Sequence, residues 1–237
     1  MDGRETKYMN RFMKIEANSV MARRGFSLIE MMVVLGVVGL LLAMSAPNLF
    51  SLLTSTSLSG EGSVLRNQLT YAQQIAVSKS SDVEVRFFKY AEAASAQPDE
   101  RFRAYQLYQY NREGDMEAIS EFFKIKAPVA VNEELTTILD PSMGAQSGKE
   151  QIYGSTAPTA GKATVALGGE GGQQSVDYVA FRFRPDGSTD LKHRAGSNDT
   201  WYITLVQGET NVEESDPPNY LCLQVNPYNG QVSEFRP

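Results

Sequence analysis

The chain has 237 residues, of which 42% are hydrophobic and 21% charged, a composition that excludes a wholly disordered protein. One Cys and one His exclude an internal disulfide and a His/Cys metal centre. Residues 1–25 hold six of the 22 Lys and Arg residues and three of the 28 acids, so the remainder has 16 basic and 25 acidic side chains. Such an acidic body is a poor general binder of nucleic acid.

The first predicted element is an apolar helix that begins near Phe26. Residues 31–46 carry no charge, and with residues 26–29 in front the run approaches the roughly 20 residues that span a bilayer. Arg23 and Arg24 precede the run and favour a cytoplasmic start, which places the rest of the chain across the membrane. A secretory signal peptide, cleaved near residues 43–45, is the alternative interpretation; the long leader and Glu30 disfavour it.

Glu30 is the unusual residue of this segment. A carboxylate within hydrocarbon costs about 2.5–3.5 kcal/mol, so it indicates a partner. Cleavage between Gly25 and Phe26 would create a cationic amino group one turn from Glu30. We therefore expect the N-terminus of a neighbouring subunit to pair with this acid in a helical bundle.

The stretch "RRGFSLIEMMVVLGVVGLLLAMSAPN" resembles the leader and N-terminal helix of type IV pilins and type II secretion pseudopilins. The resemblance implies that a prepilin peptidase cleaves after Gly25 and methylates the new N-terminus. The leader, residues 1–25, is longer than in typical members, and Met1, Met13 and Met21 are alternative starts. The matching residues are Arg23, Arg24, Gly25, Phe26 as first mature residue, Glu30 as fifth and Pro47 as twenty-second.

Pro47 divides the predicted helix. It lacks an N–H and disturbs a helix, and the resemblance implies local unwinding there in an assembled filament; a simple helix stop is the alternative. Beyond it, one apolar stripe continues at helical spacing, although Gly60 and Gly62 weaken the segment. Residues 26–46 are expected to form a membrane or filament core, and residues 47–80 an amphipathic half. The stripe comprises Leu58, Leu65, Leu69, Ala72 and Ala76.

Residues 81–237 are predicted to form a β-rich head. "DVEVRFFKY" alternates between one apolar and one more polar face, and several later segments do the same. Pro185-Asp186-Gly187 and Tyr228-Asn229-Gly230 are hairpin signals. Long loops are expected near 90–101, 139–162 and 207–219. The predicted fold is α+β, with a long N-terminal helix packed on an antiparallel sheet or sandwich, as in pilins. In "FRAYQLYQY" the alternation places on one face Phe102, Ala104, Gln106, Tyr108 and Tyr110.

The soluble segments extend the resemblance. "LRNQLTYAQQIAVSKSSDVEVRF" and the closing segments "FRFRPDGS", "WYITL" and "LQVNPYNGQVSEFR" are similar to the GspH/FimT group of minor pseudopilins. The length of the middle region is similar to that of prepilin-like proteins of verrucomicrobial gene cassettes.

No catalytic constellation is apparent in the head. His193 is interpreted as a solvated loop residue, since no nucleophile or orienting acid accompanies it. Cys222 lies in a strand pattern and is expected to be buried and inert. Asp186 and Asp190 resemble calcium ligands, but a hairpin turn explains them better. We therefore predict no enzyme activity, cofactor or metal.

One basic cluster in the head leaves a binding function open. Arg182 and Arg184 alternate on a strand, and two more cations follow them in the sequence. The default interpretation is a solvated strand edge; the alternative is a minor pilin whose head binds DNA or a surface. Nucleic acid is therefore an unlikely partner. The sequence predicts this to be the only basic cluster of the head, and it contains Arg182, Arg184, Lys192, His193 and Arg194.

Together these features predict a structural minor pilin or pseudopilin of a type II secretion or type IV pilus-like machine. The expected partners are other pilin subunits, a prepilin peptidase, an inner-membrane assembly platform and the lipid bilayer. The expected location is the inner membrane, with a single crossing and the head in the periplasm, followed by assembly into a pilus or pseudopilus.

Overall fold

The computed structural model describes residues 26–91, 100–111, 113–142, 158–167, 172–191, 201–208 and 217–236, without the side chains of 45–54. Gly25, Lys192, His193 and Arg194 lie outside these residues. In the described part, one long helix precedes ten strands. The chain divides into two compact units, residues 1–47 and 48–237. The elements are α1 Leu28–Lys79, β1 Val83–Tyr90, β2 Arg101–Tyr110, β3 Met116–Ala118, β4 Phe123–Lys124, β5 Val129–Val131, β6 Thr159–Ala166, β7 Gln173–Phe183, β8 Trp201–Gln207, β9 Tyr220–Val225 and β10 Val232–Phe235.

The α+β class is confirmed. The described strands form two antiparallel sheets. The larger sheet has the order β3-β2-β1-β7-β6, with β4 also paired to β2, and the smaller has the order β10-β9-β8-β5. One hydrophobic cluster joins the C-terminal half of α1 to both sheets and forms the core of the second unit. A satellite cluster around Phe88 covers part of the other face of the larger sheet.

The predicted helical stripe lies in this core. The five predicted residues, from Leu58 to Ala76, are each no more than 1% exposed. Gly62 lies on the same buried face: a Cβ built on it would come 2.5 Å from Leu221 Cδ1 of β9. This glycine therefore permits a close approach of helix to sheet, which offsets its low helix propensity.

The helix ends at Lys79 in a Schellman motif. Ser80 adopts a φ of 50°, its N–H donates to Val77 O, and the N–H of Ser81 donates to Ala76 O. These two bonds satisfy carbonyl groups that the end of a helix leaves unpaired. Three residues then separate the end of α1 from the start of β1.

The two predicted hairpin turns are confirmed. Gly187 and Gly230 have positive φ angles of 85° and 65°, which favour glycine. The turns pack together, because a Cβ on Gly230 would lie 2.5 Å from the carbonyl oxygen of Gly187. The side chain of Gln73 on α1 donates to Asn229 O at 2.5 Å, which fixes the second turn to the helix.

Two sequence predictions about strands are wrong in part. In β2, Phe88 pairs with Ala104 and Lys89 with Phe102, so Arg103 is the extra residue of a β-bulge. Phe102 and Ala104 consequently lie in different clusters, on opposite faces of the sheet. In addition, β6 begins at Thr159, within residues 139–162, which were predicted as a loop. The prediction failed because that stretch is rich in Gly and Ser before the strand, which itself contains only three β-formers, two Thr and one Val.

Candidate functional site

The N-terminal segment is the first candidate site. Every side chain described from Phe26 to Met44 is exposed, including Phe26 at 72% and Met44 at 70%. A continuous apolar surface of this kind marks a region that contacts lipid or other protein. Within the described residues, no helix combines the length and the apolar character that a membrane crossing requires.

Glu30 lies in the first turn of α1. The N–H of Met31 donates to Ser27 O at 3.1 Å, so Ser27 occupies the N-cap position and Glu30 the third helical position. Ser-x-x-Glu is the sequence of a capping box, and the helix dipole favours an acid there. Glu30 therefore has a local role in starting the helix, which sequence reasoning missed although "SLIE" shows it.

Pro47 lies within α1, which continues through it from Leu28 to Lys79. A helix stop at Pro47, the alternative considered from sequence, is therefore wrong. The division between the two compact units falls between Pro47 and Asn48. Gly25, Arg23 and Arg24 precede the described residues, so the processing position itself stays a prediction.

A second candidate lies on the larger sheet, around a buried carboxylate. Glu84 is 3% exposed and accepts three hydrogen bonds: from Arg86 Nε at 2.6 Å, Tyr110 Oη at 2.7 Å and Arg182 Nε at 2.8 Å. We call these four residues the Glu84 cluster. Sequence reasoning placed Glu84 on the polar face of β1 but missed that long side chains from β2 and β7 cover it.

Aromatic rings complete the Glu84 cluster. The guanidinium of Arg86 lies 4.6 Å from the ring centre of Tyr108 and 4.4 Å from that of Tyr178. The guanidinium of Arg182 lies 4.6 Å from the ring centre of Tyr110. Both cations, the buried Arg86 and the partly exposed Arg182, are thus held by one carboxylate and by π faces.

The protonation states follow from these contacts. Burial by itself raises the pKa of Glu84, but hydrogen bonds from Tyr110, Arg86 and Arg182 and the charge of Arg86 hold it below its ordinary value. Burial and the bond to Glu84 raise the pKa of Tyr110 to about 12, so its phenol stays a donor. With an anion and two cations satisfied inside it, the Glu84 cluster is a structural ion network rather than a reactive centre.

Asp190 borders the Glu84 cluster. Its pKa is raised in the folded chain, whereas the pKa of Glu84 is lowered. The Asp190 carboxylate accepts a bond from the N–H of Arg182 at 2.7 Å, but burial raises its pKa to about 6. The folded chain therefore keeps this proton to a higher pH than the unfolded chain. Ionisation of Asp190 accordingly lowers the free energy of unfolding as the pH rises from 3.8 to about 6.

The structure changes the interpretation of the basic residues. Arg182 is committed to Glu84 and Tyr110, and Arg184 lies just beyond the end of β7. The prediction that the head has only one basic cluster is wrong. A second group of basic residues lines one pocket: Arg101, Arg103, Lys124 and Lys126. Sequence reasoning missed them because a bulge and a two-residue strand bring them together.

The remaining candidates of the head have local explanations. Asp186 accepts bonds from the N–H and hydroxyl of Ser188, at 2.9 and 2.6 Å, as a turn residue does. Among the described residues, no three His, Cys, Asp or Glu side chains form a group that could hold a metal ion. Cys222 is half-buried rather than buried, because it lies on the outward side of β9; burial raises the pKa of its thiol and so lowers its reactivity.

Comparison with known proteins identifies the N-terminal segment. The family model of the prokaryotic N-terminal methylation motif matches residues 20–46. No curated protein and no solved structure matches the chain. Residues 20–46 are therefore a prokaryotic N-terminal methylation motif, consistent with the type IV pilin and pseudopilin family.

Proposed function

We propose that the chain is a minor pilin or pseudopilin subunit of the GspH/FimT-like group, which assembles into a filament of a type II secretion or type IV pilus-like machine. The match of residues 20–46 to the N-terminal methylation motif carries this proposal. The exposed apolar helix from Phe26 to Met44 supports it, because such a surface needs lipid or neighbouring helices to cover it. The glycine turns that close the head support the narrower group.

Residues 1–25 act in this proposal as a leader that a prepilin peptidase removes after Gly25. Residues 26–46 hold the new subunit in the inner membrane, with the head in the periplasm, until an assembly platform moves it into the filament. The uncharged run continues in the sequence to Ala46, past Met44, the last residue of this stretch whose side chain is described. Pro47 then acts as the flexible point between the filament core and the head.

The proposal gives Glu30 two separable roles. As a carboxylate it neutralises the amino group of Phe26 of an adjacent subunit within the bundle. As the third helical residue it helps to start α1. Glutamine at this position keeps a capping box but loses the charge, so it separates the roles.

We expect Glu30→Ala and Glu30→Gln to be processed normally but to enter filaments at least tenfold less efficiently than the wild type. Loss of the charge leaves a neighbouring ammonium group unpaired in an apolar bundle, which costs several kcal/mol. The measurement is the ratio of subunit in sheared filaments to subunit in membranes, by immunoblot. Normal incorporation of Glu30→Gln would contradict the pairing role and leave only the role in helix capping.

A further inference from the structure

A basic pocket lies where β2 begins. Its volume is about 280 Å³, and no carboxylate is among the described residues that line it. Apolar side chains such as Phe102, Ile125 and Val129 form the rest of its wall. Guanidinium and ammonium groups beside apolar surface suit an acidic peptide, whose carboxylates and side-chain carbons can both be accommodated. The basic residues of this pocket are Arg101, Arg103, Lys124 and Lys126.

Backbone pairing fixes the basic pocket. Arg103 is the bulged residue of β2, and a bulge redirects side chains. β4 lies alongside, with the N–H of Ile125 donating to Arg103 O at 2.8 Å. The ammonium of Lys124 donates to Leu167 O at 2.6 Å, which holds it in place. The cations thus converge through the fold of the sheet.

An acidic hairpin, of which the structure describes residues 111 and 113–118, lies toward the other end of β2. Glu113, Asp115 and Glu117 are exposed, and among the described residues none of their carboxylates forms an ion pair. The N–H groups of Glu113 and Asp115 donate to Asn111 Oδ1 at 2.9 and 2.8 Å, so the turn has a defined shape. With Arg112, which is not described, the formal charge of this segment is −2.

These two surfaces cannot meet within one head. Glu117 pairs with Gln109 and Lys124 with Ala104, so these charges are five residues of β2 apart, roughly 17 Å at 3.3 Å per residue. Each copy therefore presents one basic and one acidic surface along the same strand. In the proposed filament all copies have the same orientation, so two complementary but different surfaces can form a head-to-tail contact that repeats from copy to copy.

We propose that the acidic hairpin of one copy docks in the basic pocket of a second copy of this chain. This inference rests on the proposed function as a filament subunit and assigns one contact between heads within it. Because the rest of the head is acidic, an acidic segment of a second copy is attracted to the basic pocket and repelled elsewhere. The opposite charges of pocket and hairpin also orient the two copies as they associate.

Cross-linking of the full-length chain in detergent micelles tests the contact. Cys222→Ser removes the native thiol, and Glu117→Cys or Lys126→Cys adds one exposed thiol to the hairpin or the pocket. With a short bifunctional maleimide, a mixture of the two variants should give dimers, and each variant alone at least tenfold less. A chain that carries both thiols should give a ladder of oligomers, because a head-to-tail contact leaves one surface of each kind unoccupied at the two ends of an oligomer.

Two controls make the outcome decisive. Tyr228→Cys, on the exposed turn after β9, should not link to Lys126→Cys above the level of either variant alone. Salt of about 1 M, at which the Debye length is about 3 Å, should lower the yield from the Glu117/Lys126 mixture several-fold. No dimers in that mixture, or equal yields from each variant alone, would overturn the proposal.

A parallel measurement separates this inference from the proposed function. Processing and filament incorporation of Glu117→Lys and Lys126→Glu are followed by immunoblot in cells. If these variants and the wild type are processed and incorporated equally while no cross-link forms, the docking proposal fails and the function stands. If the wild type itself never enters a filament, the proposed function fails.

Discussion

Glu84 shows how one buried charge organises the outer face of the larger sheet. Three donors from β1, β2 and β7 meet on its carboxylate, and each would lose an anionic acceptor if the charge were removed. Ion networks of this kind contribute little net stability as a whole, but removal of one partner is costly when a charge that stays buried, here that of Arg86, is left uncompensated. Glu84 therefore makes strand order and register interdependent.

We expect Glu84→Gln to lower the free energy of unfolding of a fragment 48–237 by about 3 kcal/mol near neutral pH. Because its pKa is lowered on folding, the carboxylate stabilises the fold above its ordinary pKa of 4.5, and this contribution is lost as the pH falls through the lowered value. The difference between wild type and variant should therefore shrink below about pH 4.5. Urea unfolding at several pH values measures it.

Glu121→Gln is the matched control, since Glu121 is exposed. This change should alter the free energy of unfolding by less than about 0.5 kcal/mol at any pH. A Glu84→Gln fragment that is as stable as the control near neutral pH would show that the ion network does not hold the strands together.

At the level of whole elements, the packing of α1 on β9 depends on Gly62. Gly60, two residues earlier, has open space around its Cα, whereas Gly62 faces Leu221 within the core. The two glycines thus share a helix and a local propensity but differ in their surroundings. Substitutions at the two positions can therefore be compared to isolate the contribution of close packing to the free energy of unfolding.

We expect Gly62→Val to lower the free energy of unfolding of the same fragment by about 2 kcal/mol, because the added carbons overpack a filled core. Gly60→Val should change it by less than about 0.5 kcal/mol, since it adds atoms to open space. Urea unfolding compares the two directly. Equal effects at both positions would mean that helix propensity, rather than contact with β9, sets the tolerance of glycine here.

Sequence patterns predicted those elements in which residues close together in the chain set the pattern. The stripe from Leu58 to Ala76 is an example, because every member faces one layer at helical spacing. "EFFKIKA" was a strand candidate and contains β4, whereas the bulge at Arg103 and the very short β3 were not predicted, since partner strands create them. Glu84 was missed for the same reason: alternation separates two faces of a strand, but it does not reveal that Arg182, 98 residues away, covers one of them.

For the whole molecule, the two compact units correspond to two kinds of surface. The first contains an exposed apolar helix with an acid in its first turn, and the second contains a packed α+β core with charges at the ends of one strand. In the proposed filament the first unit supplies contacts between helices and the second supplies a contact between heads. The match to the N-terminal methylation motif, residues 20–46, falls within the first unit.

The measurement that tests this account most directly is the intact mass of the native protein from membranes, combined with sequencing of its first residues. We predict one species that begins at Phe26 and carries a single methyl group on its amino terminus, and no such species from a Gly25→Trp variant. A native chain that begins at any other residue would contradict the account, because no cation would then lie beside Glu30.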